Sequence, residues 1–234
     1  MELKDQSVVV IGGSSGIGLA IAQAAAKEGA KVLIASRSSE KINIAKQKIQ
    51  GNIDTATIDL NSESSVKAFF DRHDKIDHLV TTAGSPKFKS IDDMDLAEAK
   101  TGFDDFFWRA FLVAKYGLPK VNKNGSLLLT SGIIAAKPFK GAPVLSAAVN
   151  AIEGFAKALA IDVAPIRVNV LCPGFTKTPL LGDNPEERLA ERISKLLIKR
   201  LAEPEEMAKT ALYFMTNGYI TGQIIRVEGG MLLA

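Results

Sequence analysis

The feature that most constrains the fold is a regular alternation of short apolar runs with helical segments. The first run, residues 7–12, is rich in β-branched residues and leads into an alanine-rich helical segment that stops at Gly29. Similar runs follow at residues 31–36, 53–59, 76–84, 125–132, 166–172 and 223–230. Because these runs are apolar on both faces and are separated by helices, they predict a parallel sheet that is covered on both sides.

The sequence predicts a single α/β domain over residues 1–234, a doubly wound parallel sheet of about seven strands with helices on both faces. Open α/β sheets often reach 234 residues as one unit, and no linker-like segment divides this chain. One long helix is expected at residues 96–118. A small substrate lid, mostly a charged amphipathic helix, is expected near residues 180–200.

Composition and charge argue against several kinds of partner. The net charge of +3 is small, and basic residues alternate with acidic ones, so no nucleic-acid partner is expected. No apolar run is expected to approach the length needed to span a bilayer, and the first strand is expected to begin too early for a signal peptide. The single cysteine, Cys172, fits a reducing compartment. We therefore expect a soluble cytoplasmic protein with no membrane partner, and we assign no metal ligands.

The loop after the first strand has the glycine pattern of a phosphate-binding turn. Ligands of doubly wound sheets bind beyond the carboxyl ends of the strands. The sequence GGSSGIG occupies residues 12–18, and Gly12, Gly16 and Gly18 would let a pyrophosphate approach the amides of the next helix. Alone, this glycine spacing is a weak signal, because an ordinary tight turn would also explain it.

The loops after the second and third strands suggest which dinucleotide binds. A carboxylate at the end of the second strand would accept a hydrogen bond from a free ribose 2′-hydroxyl. Ser36 and Arg37 stand there instead, and they favour a 2′-phosphate, hence NADP(H) over NAD(H), although Arg37 could be an ordinary surface residue. Asp59, beside Leu60, either accepts from the adenine amino group or caps the helix near Ser62.

Together with three later segments, these loops resemble the short-chain dehydrogenase/reductase family across essentially the whole chain. The later segments are TTAG at residues 81–84, APIRVNVLCPGFTKTP at 164–179 and TGQIIRVEGG at 221–230. The resemblance implies a Rossmann fold and a nicotinamide cofactor. The loops and the resemblance together give these cofactor residues: Gly12, Ser14, Ser15, Gly16, Ile17, Ser36, Arg37, Asp59, Leu60, Thr82, Ala83, Gly84, Pro173, Gly174, Thr176 and Thr178.

The resemblance also divides these residues between the parts of the cofactor. It implies that the glycine turn holds the pyrophosphate and that residues 82–84 lie along the nicotinamide-side ribose. It implies that Pro173, Gly174, Thr176 and Thr178 hold the nicotinamide carboxamide. Two departures occur here, because Ile11 replaces a threonine and residues 81–82 replace paired asparagines. Both should loosen the hydrogen bonds between loops without removing the phosphate cradle.

The catalytic residues that the resemblance implies are largely missing. Family members use a serine, and a tyrosine followed four residues later by a lysine, to move a proton as hydride moves. Leu145 stands at the tyrosine position and Val149 at the lysine position, and the family's asparagine falls near Phe106. Ser131 is the one candidate for the serine, although strict register places Gly132 there. Ser131 is therefore the only catalytic residue that we predict.

Other reactive side chains are weaker candidates. Tyr116 and Lys115 are adjacent on a helix and point along different faces, so packing and solvation are expected of them. Lys137 lies in a loop over the site and is expected in solvent. Cys172 lies near the nicotinamide position and is either reactive or, more commonly, buried and inert. His78 belongs to the opposite end of the sheet and receives no catalytic role.

Two classes of function follow from this pattern. The first is an NADP(H)-dependent oxidoreductase of a carbonyl or alcohol, in which protonation runs through Ser131, water or the substrate itself. The second is a non-catalytic NADP(H)-binding protein that acts as a sensor or assembly partner. The helices near residues 103–118 and 147–161 are apolar around much of their circumference, and the resemblance implies that they pair between subunits. A homodimer or homotetramer is therefore expected.

Overall fold

The computed structural model describes residues 2–84 and 86–234 and contains one seven-stranded parallel sheet. Its strands are β1 (Ser7–Ile11), β2 (Lys31–Ser36), β3 (Asn52–Thr57), β4 (Ile76–Thr81), β5 (Val121–Thr130), β6 (Arg167–Pro173) and β7 (Ile224–Val227). Their order in the sheet is β3-β2-β1-β4-β5-β6-β7, and every pair is parallel. The predicted doubly wound sheet is confirmed. The order reverses between β1 and β4, where a ligand crevice is expected.

Helices cover both faces of the sheet. They are α1 (Gly16–Lys27), α2 (Ser39–Lys46), α3 (Glu63–Asp71), α4 (Leu96–Phe103), α5 (Arg109–Gly117), α6 (Pro143–Asp162), α7 (Pro185–Arg188), α8 (Ala190–Ser194) and α9 (Pro204–Thr216). Successive strand residues point to opposite faces, so Val8 and Val10 pack in the core with α1 and α9. Val9 and Ile11 pack in the second core with α3, α5 and α6.

The long helix expected at residues 96–118 is interrupted. A π-helical segment, Asp104–Trp108, separates α4 from α5. The wider turn is accompanied by a buried ion pair, in which Arg109 Nη2 lies 2.5 Å from Asp105 Oδ1. Arg109 also donates to the Asn61 side chain from Nε at 3.1 Å and from Nη2 at 2.9 Å. Such π segments occur mostly within α-helices and are frequent at functional sites.

The lid is also less regular than the sequence predicted. Residues 180–200 contain two short helices, α7 and α8, rather than one amphipathic helix. Leu189 separates them with a φ of −104° and a ψ of 9°, which lies outside the helical region. The pattern of charged residues predicted a helical segment here, but one non-helical residue divides it into two helices.

The expectation that no apolar run approaches the length of a membrane span was wrong. Helix α6 has 20 residues, and an 18-residue stretch within it has a mean hydropathy of 1.5, so its length and composition alone would suit a membrane span. In the fold it lies against β6, and Glu153 on its inner face is buried and hydrogen-bonded. The apolar character of its inner face therefore reflects packing against the sheet.

A network of hydrogen bonds among polar side chains lies at the amino end of the sheet, opposite the crevice. His78 in β4 is 3% exposed, with its Nδ1 2.8 Å from Ser126 Oγ and its Nε2 2.7 Å from Gln6 Oε1. Burial lowers the pKa of His78 from 6.5 to about 4, and the nearby Arg167 cation acts in the same direction. His78 is therefore neutral in the folded protein near neutral pH and plays no part at the crevice.

We expect His78 to make the fold sensitive to acid. The unfolded chain takes up this proton near pH 6.5, whereas the folded protein does so near pH 4. The stabilisation due to neutral His78 is complete above pH 6.5 and is lost as the pH falls to about 4, by up to about 3 kcal/mol. Denaturant titrations at several pH values should show a steeper loss in the native protein than in His78→Gln. Parallel curves for the two proteins would contradict this assignment.

Candidate cofactor and active site

The carboxyl ends of β1, β2 and β4 enclose a groove of about 430 Å³. It lies where the strand order reverses, as expected for a doubly wound sheet. The structure brings together in its walls most of the residues predicted to bind the cofactor: Gly12, Ser14, Ser15, Gly16, Ile17, Ser36, Arg37, Leu60, Thr82, Ala83, Gly84 and Thr178.

The glycine turn is built for close approach to a phosphate. Gly12 and Gly16 have φ values of +89° and +52°, a region that favours glycine. A Cβ at Gly18 would lie 2.3 Å from the Gly12 carbonyl oxygen, so a side chain there cannot fit. Ser15 precedes α1 without a side-chain cap, and the first turn of α1 has no acidic residue. The first amides of α1 are therefore available to an anion, and the turn fits a pyrophosphate.

Thr82, after the end of β4, contacts the glycine turn through a short backbone hydrogen bond and through longer side-chain contacts. Thr82 N donates to the Ile11 carbonyl at 2.9 Å. The Thr82 hydroxyl lies 3.4 Å from the carbonyl oxygens of both Ile11 and Gly12, near the limit for a hydrogen bond. The side-chain link between these loops is therefore weak.

The end of the groove formed by β2 and α2 is positively charged. Arg37 follows β2, and Lys41 in the first turn of α2 lines the same groove. The Ser38 hydroxyl caps α2 by accepting from Lys41 N at 3.2 Å. No acidic side chain is among the described residues that line this groove. Sequence reasoning missed Lys41, although a cation four residues after Arg37 was the available signal.

The structure settles one alternative for Asp59. The cap of α3 is Ser62, whose hydroxyl accepts from Ser65 N at 3.2 Å, so the capping role considered for Asp59 was wrong. The Asp59 carboxylate instead accepts from Asn61 N at 3.0 Å, within its own turn. Leu60 lines the groove beside it. A contact between Asp59 and adenine remains a prediction.

The segment expected to hold the nicotinamide follows β6, and of its four predicted residues only Thr178 lines this groove, whereas Pro173, Gly174 and Thr176 lie outside its walls. Gly174 N donates to the Val227 carbonyl at 2.9 Å, and the Thr176 hydroxyl donates to the Gly174 carbonyl at 3.2 Å. A Cβ at Gly174 would lie 2.7 Å from Cα of Glu228, the residue after β7, so only glycine fits there. The nicotinamide role of Pro173, Gly174 and Thr176 remains a prediction.

An apolar cluster occupies the positions where the family resemblance implies the catalytic tyrosine, lysine and asparagine. Leu145 and Val149 of α6 are 7% and 1% exposed. The Phe106 ring packs against this cluster and against residue 84, where an added Cβ would lie 2.5 Å from Phe106 Cε1. The other members of the cluster are Ile134, Ala135, Phe139 and Ala142. These side chains exclude water, but none of them can donate or accept a proton.

Ser131 is buried and does not line the groove, and its side chain takes part in a polar contact with α6. Its hydroxyl donates to Glu153 Oε1 at 3.0 Å, and Glu153 Oε2 accepts from Arg226 Nη2 at 3.0 Å. The next residue, Gly132, faces open space, since an added Cβ there would meet no atom within 4 Å. The catalytic role of Ser131 therefore remains a prediction, and its hydroxyl already has a partner.

The other reactive side chains have structural partners. Burial raises the pKa of the Cys172 thiol to about 11, so this thiol is inert near neutral pH. The Tyr116 hydroxyl and Lys115 Nζ both donate to Glu63 Oε1, at 2.6 and 2.7 Å. Lys137 Nζ donates to two backbone carbonyls in residues 231–234, each at 2.6 Å. None of these groups is presented to the groove.

A larger hollow of about 560 Å³ lies at the open edge of β3, beside Arg72 and His73. It lies at the edge strand, two positions from β1 in the sheet, and no predicted site residue lines it. Volume alone does not identify a site, so we place the cofactor in the smaller groove, where the glycine turn and the helix amides converge.

The groove and the sheet define a dinucleotide-binding α/β protein, and comparisons with known proteins agree. The family model described as enoyl-(acyl carrier protein) reductase matches residues 11–232. The short-chain dehydrogenase/reductase ATR9 of Stachybotrys chlorohalonatus is 32% identical, over 99% of this chain and 98% of its own. The chain belongs to the short-chain dehydrogenase/reductase family, whose members are nicotinamide-dependent oxidoreductases.

Two solved structures extend the likeness. The MalC reductase/Diels-Alderase from Malbranchea aurantiaca superposes with a TM-score of 0.93 at 31% identity, covering 100% of this chain and 98% of its own. A small-chain dehydrogenase in complex with NADPH gives a TM-score of 0.84 at 34% identity, covering 99% of this chain and 100% of its own. Both support the fold over its full length.

Proposed function

We propose that this protein is an NADP(H)-dependent oxidoreductase of a carbonyl or alcohol substrate. The observation that carries the proposal is the phosphate-accepting groove with Arg37 and Lys41 at one end and no acidic side chain in its described walls. When bound, the cofactor supplies or accepts hydride at its nicotinamide ring. The related dehydrogenase that was solved with NADPH supports the choice of the phosphorylated dinucleotide.

The residues of the chain divide the work of binding and orientation. The amides at the start of α1 hold the pyrophosphate, and Arg37 and Lys41 bind the 2′-phosphate through charge-assisted hydrogen bonds. The apolar cluster around Leu145 and Val149 excludes water but offers no proton. The proton therefore comes from water, from the substrate or from Ser131. Loss of a general acid typically slows a reaction by roughly two to four orders of magnitude without abolishing it.

The substrate would enter between the lid and the loop after β5. Phe139 stacks on Phe175 with ring centroids 5.8 Å apart, and Arg192 of α8 lies 4.8 Å over the Phe139 ring. Cation–π contacts of this kind hold the lid against the body of the protein. The buried residues beneath them are Ile133, Leu196 and Met231. We infer from this apolar contact between the lid and the body that the substrate is apolar near its reacting group.

The first test is cofactor preference. Fluorescence titration should show NADPH binding at least about ten-fold tighter than NADH, a gap of about 1.4 kcal/mol. Arg37→Asp should remove the gap, because a carboxylate repels the 2′-phosphate and accepts from a free hydroxyl. Lys41→Gln should narrow the gap, whereas Lys46→Gln, at the far end of α2, should not change it. Equal affinities of the native protein for NADPH and NADH would contradict the NADP(H) assignment.

We also propose that the protein assembles as a homodimer or homotetramer. Phe107, Trp108 and Phe111 form edge-on aromatic contacts, and Phe155 of α6 joins them. Trp108 is 48% exposed and Ile161 of α6 is 80% exposed, an apolar face that a second copy would cover. Light scattering should give a mass at least twice 25.0 kDa at micromolar concentration. A particle of 25.0 kDa would refute the assembly.

A further inference from the structure

A buried polar cluster lies at the carboxyl ends of β5, β6 and β7, on the side of the sheet that faces α6. Ser131 follows β5, Cys172 lies in β6, and Arg226 lies opposite Cys172 in the β6–β7 register. Glu153 of α6 joins these strands, because its two carboxylate oxygens accept from Ser131 Oγ and Arg226 Nη2, each at 3.0 Å.

This cluster interrupts an otherwise apolar interface. The other buried residues of α6 are Leu145, Ala148, Val149, Ile152 and Ala156. Glu153 is 7% exposed, and a carboxylate buried without partners would be strongly destabilising. Here both of its oxygens accept hydrogen bonds and the Arg226 partner is partly exposed, yet well-packed apolar residues in place of such an ion pair are often at least as stabilising. What the contacts of Glu153 do provide is a fixed geometry between α6 and the ends of β5 and β7.

The geometry that the pair fixes is that of the segment after β6. Cys172 is followed by Pro173, which pairs with Val227 of β7, and Gly174 N donates to the Val227 carbonyl at 2.9 Å. The Glu153–Arg226 contact thus holds β7 to α6 immediately beside residues 173–174. Neither Glu153 nor Arg226 lines the groove that holds the adenosine half of the proposed cofactor.

We propose that Glu153 and Arg226 are positioning residues for the nicotinamide half of the cofactor. They set the position of β7 against α6 and thereby the position of Pro173 and Gly174, the segment that the family resemblance assigns to the nicotinamide. The adenosine half is held independently, by the glycine turn and by Arg37 and Lys41. This inference rests on the proposed function, since it requires that the groove binds NADP(H).

The test compares NADPH with 2′,5′-ADP, which carries the adenosine and its 2′-phosphate but no nicotinamide. In Glu153→Gln the amide keeps an acceptor for Ser131 but loses the charge that attracts Arg226. Calorimetric titration should show NADPH binding roughly ten-fold weaker and 2′,5′-ADP unchanged within about two-fold. A loss of general stability would not separate the two ligands in this way.

A second variant tests the same contact without substituting the buried Glu153 side chain. The Arg226 side chain is 32% exposed, so Arg226→Gln can be accommodated at the surface. Arg226→Gln should also weaken NADPH binding without changing 2′,5′-ADP binding. The double variant with Glu153→Gln should bind NADPH no more weakly than either single variant, because both substitutions remove the same contact. Ser126→Ala, which removes a buried hydrogen bond to His78 at the opposite end of the sheet, is the matched control and should leave both ligands unaffected.

Each result supports the inference or overturns it. Selective weakening of NADPH in both single variants supports it. Equal weakening of the two ligands, or no weakening of either, overturns it and leaves the proposed function intact. Native protein that binds neither NADPH nor 2′,5′-ADP overturns the proposed function and this inference with it.

Discussion

The double variant Leu145→Tyr with Val149→Lys is expected to reduce carbonyl compounds with NADPH roughly one hundred to ten thousand times faster than the native protein. The two positions are one helical turn apart on the buried face of α6. A phenol at position 145 would supply the missing proton, and an ammonium at position 149 would lower the pKa of that phenol. The remaining parts of the site, the cofactor groove above all, are already built.

The substitution carries a stability cost that the structure also limits. Val149 is 1% exposed, so an unpaired ammonium in its place would destabilise the fold by several kcal/mol. Glu153 lies one turn further along the same helix face, and its negative charge partly offsets this cost although both of its oxygens already accept hydrogen bonds. Thermal unfolding with and without NADPH will report the cost. Leu145→Phe with Val149→Met is the matched control, because it changes size without adding a hydroxyl or a charge.

The two arms of this experiment separate chemistry from packing. Faster turnover in the variant and no change in the control would establish that the missing acid limits the native reaction. A folded double variant that binds NADPH and is no faster than the native protein would contradict the correspondence between these two positions and the family's tyrosine and lysine.

Gly12→Val is expected to weaken NADPH binding by more than roughly one hundred-fold. Gly12 has a φ of +89°, which a β-branched residue adopts only with strain. A Cβ there would lie 2.6 Å from Thr82 Oγ1 and 3.1 Å from Ala83 N, within the groove itself. Strain and contact together would displace the glycine turn from the end of β4, so the helix amides would no longer meet the pyrophosphate.

The control for this change is Gly218→Ala. Gly218 is exposed, and a Cβ there would meet no atom within 4 Å, so stability and binding should stay within experimental error of the native values. Native NADPH affinity in folded Gly12→Val would mean that the dinucleotide does not bind at this turn, and the groove assignment would be wrong.

The sheet was predictable because its signals are local and redundant. Strands buried on both faces must be continuously apolar, and each is followed by a helical segment, so the order of elements follows directly from the pattern. The glycine turn was predictable for a related reason, since Gly12 occupies a backbone conformation that other residues reach only with strain.

The interior of the site was less predictable, because it depends on contacts between residues distant in sequence. Sequence reasoning identified that Leu145 and Val149 are apolar, but not that Phe106 joins them in one cluster. It identified Ser131, but not its bond to Glu153, which lies 22 residues further along the chain. Arg226 comes from the last strand, and no local pattern links it to Glu153.

The predictions for the irregular segments failed for a third reason, because small differences in local backbone energy decide where a helix is interrupted. A single residue, Leu189, divides the lid helix, and a π-helical turn divides the segment between α4 and α5. Each interruption alters the backbone of only a few residues and leaves the spacing of polar and apolar residues unchanged. The sequence pattern therefore does not predict either interruption. Tertiary contacts such as the Arg109–Asp105 ion pair select the observed geometry.

The central claim is that this protein binds NADP(H) in the groove and uses it for hydride transfer, despite the apolar cluster on α6. The most direct test incubates native protein with NADPH and a panel of carbonyl compounds, and follows cofactor absorbance against Gly12→Val and protein-free controls. We predict slow NADPH oxidation with at least one compound, alcohol product equal to the NADPH consumed, and none above background in the variant. Tight NADPH binding without reduction of any compound, combined with clear activity in the double variant at positions 145 and 149, would contradict the claim and identify a cofactor-binding protein without chemistry.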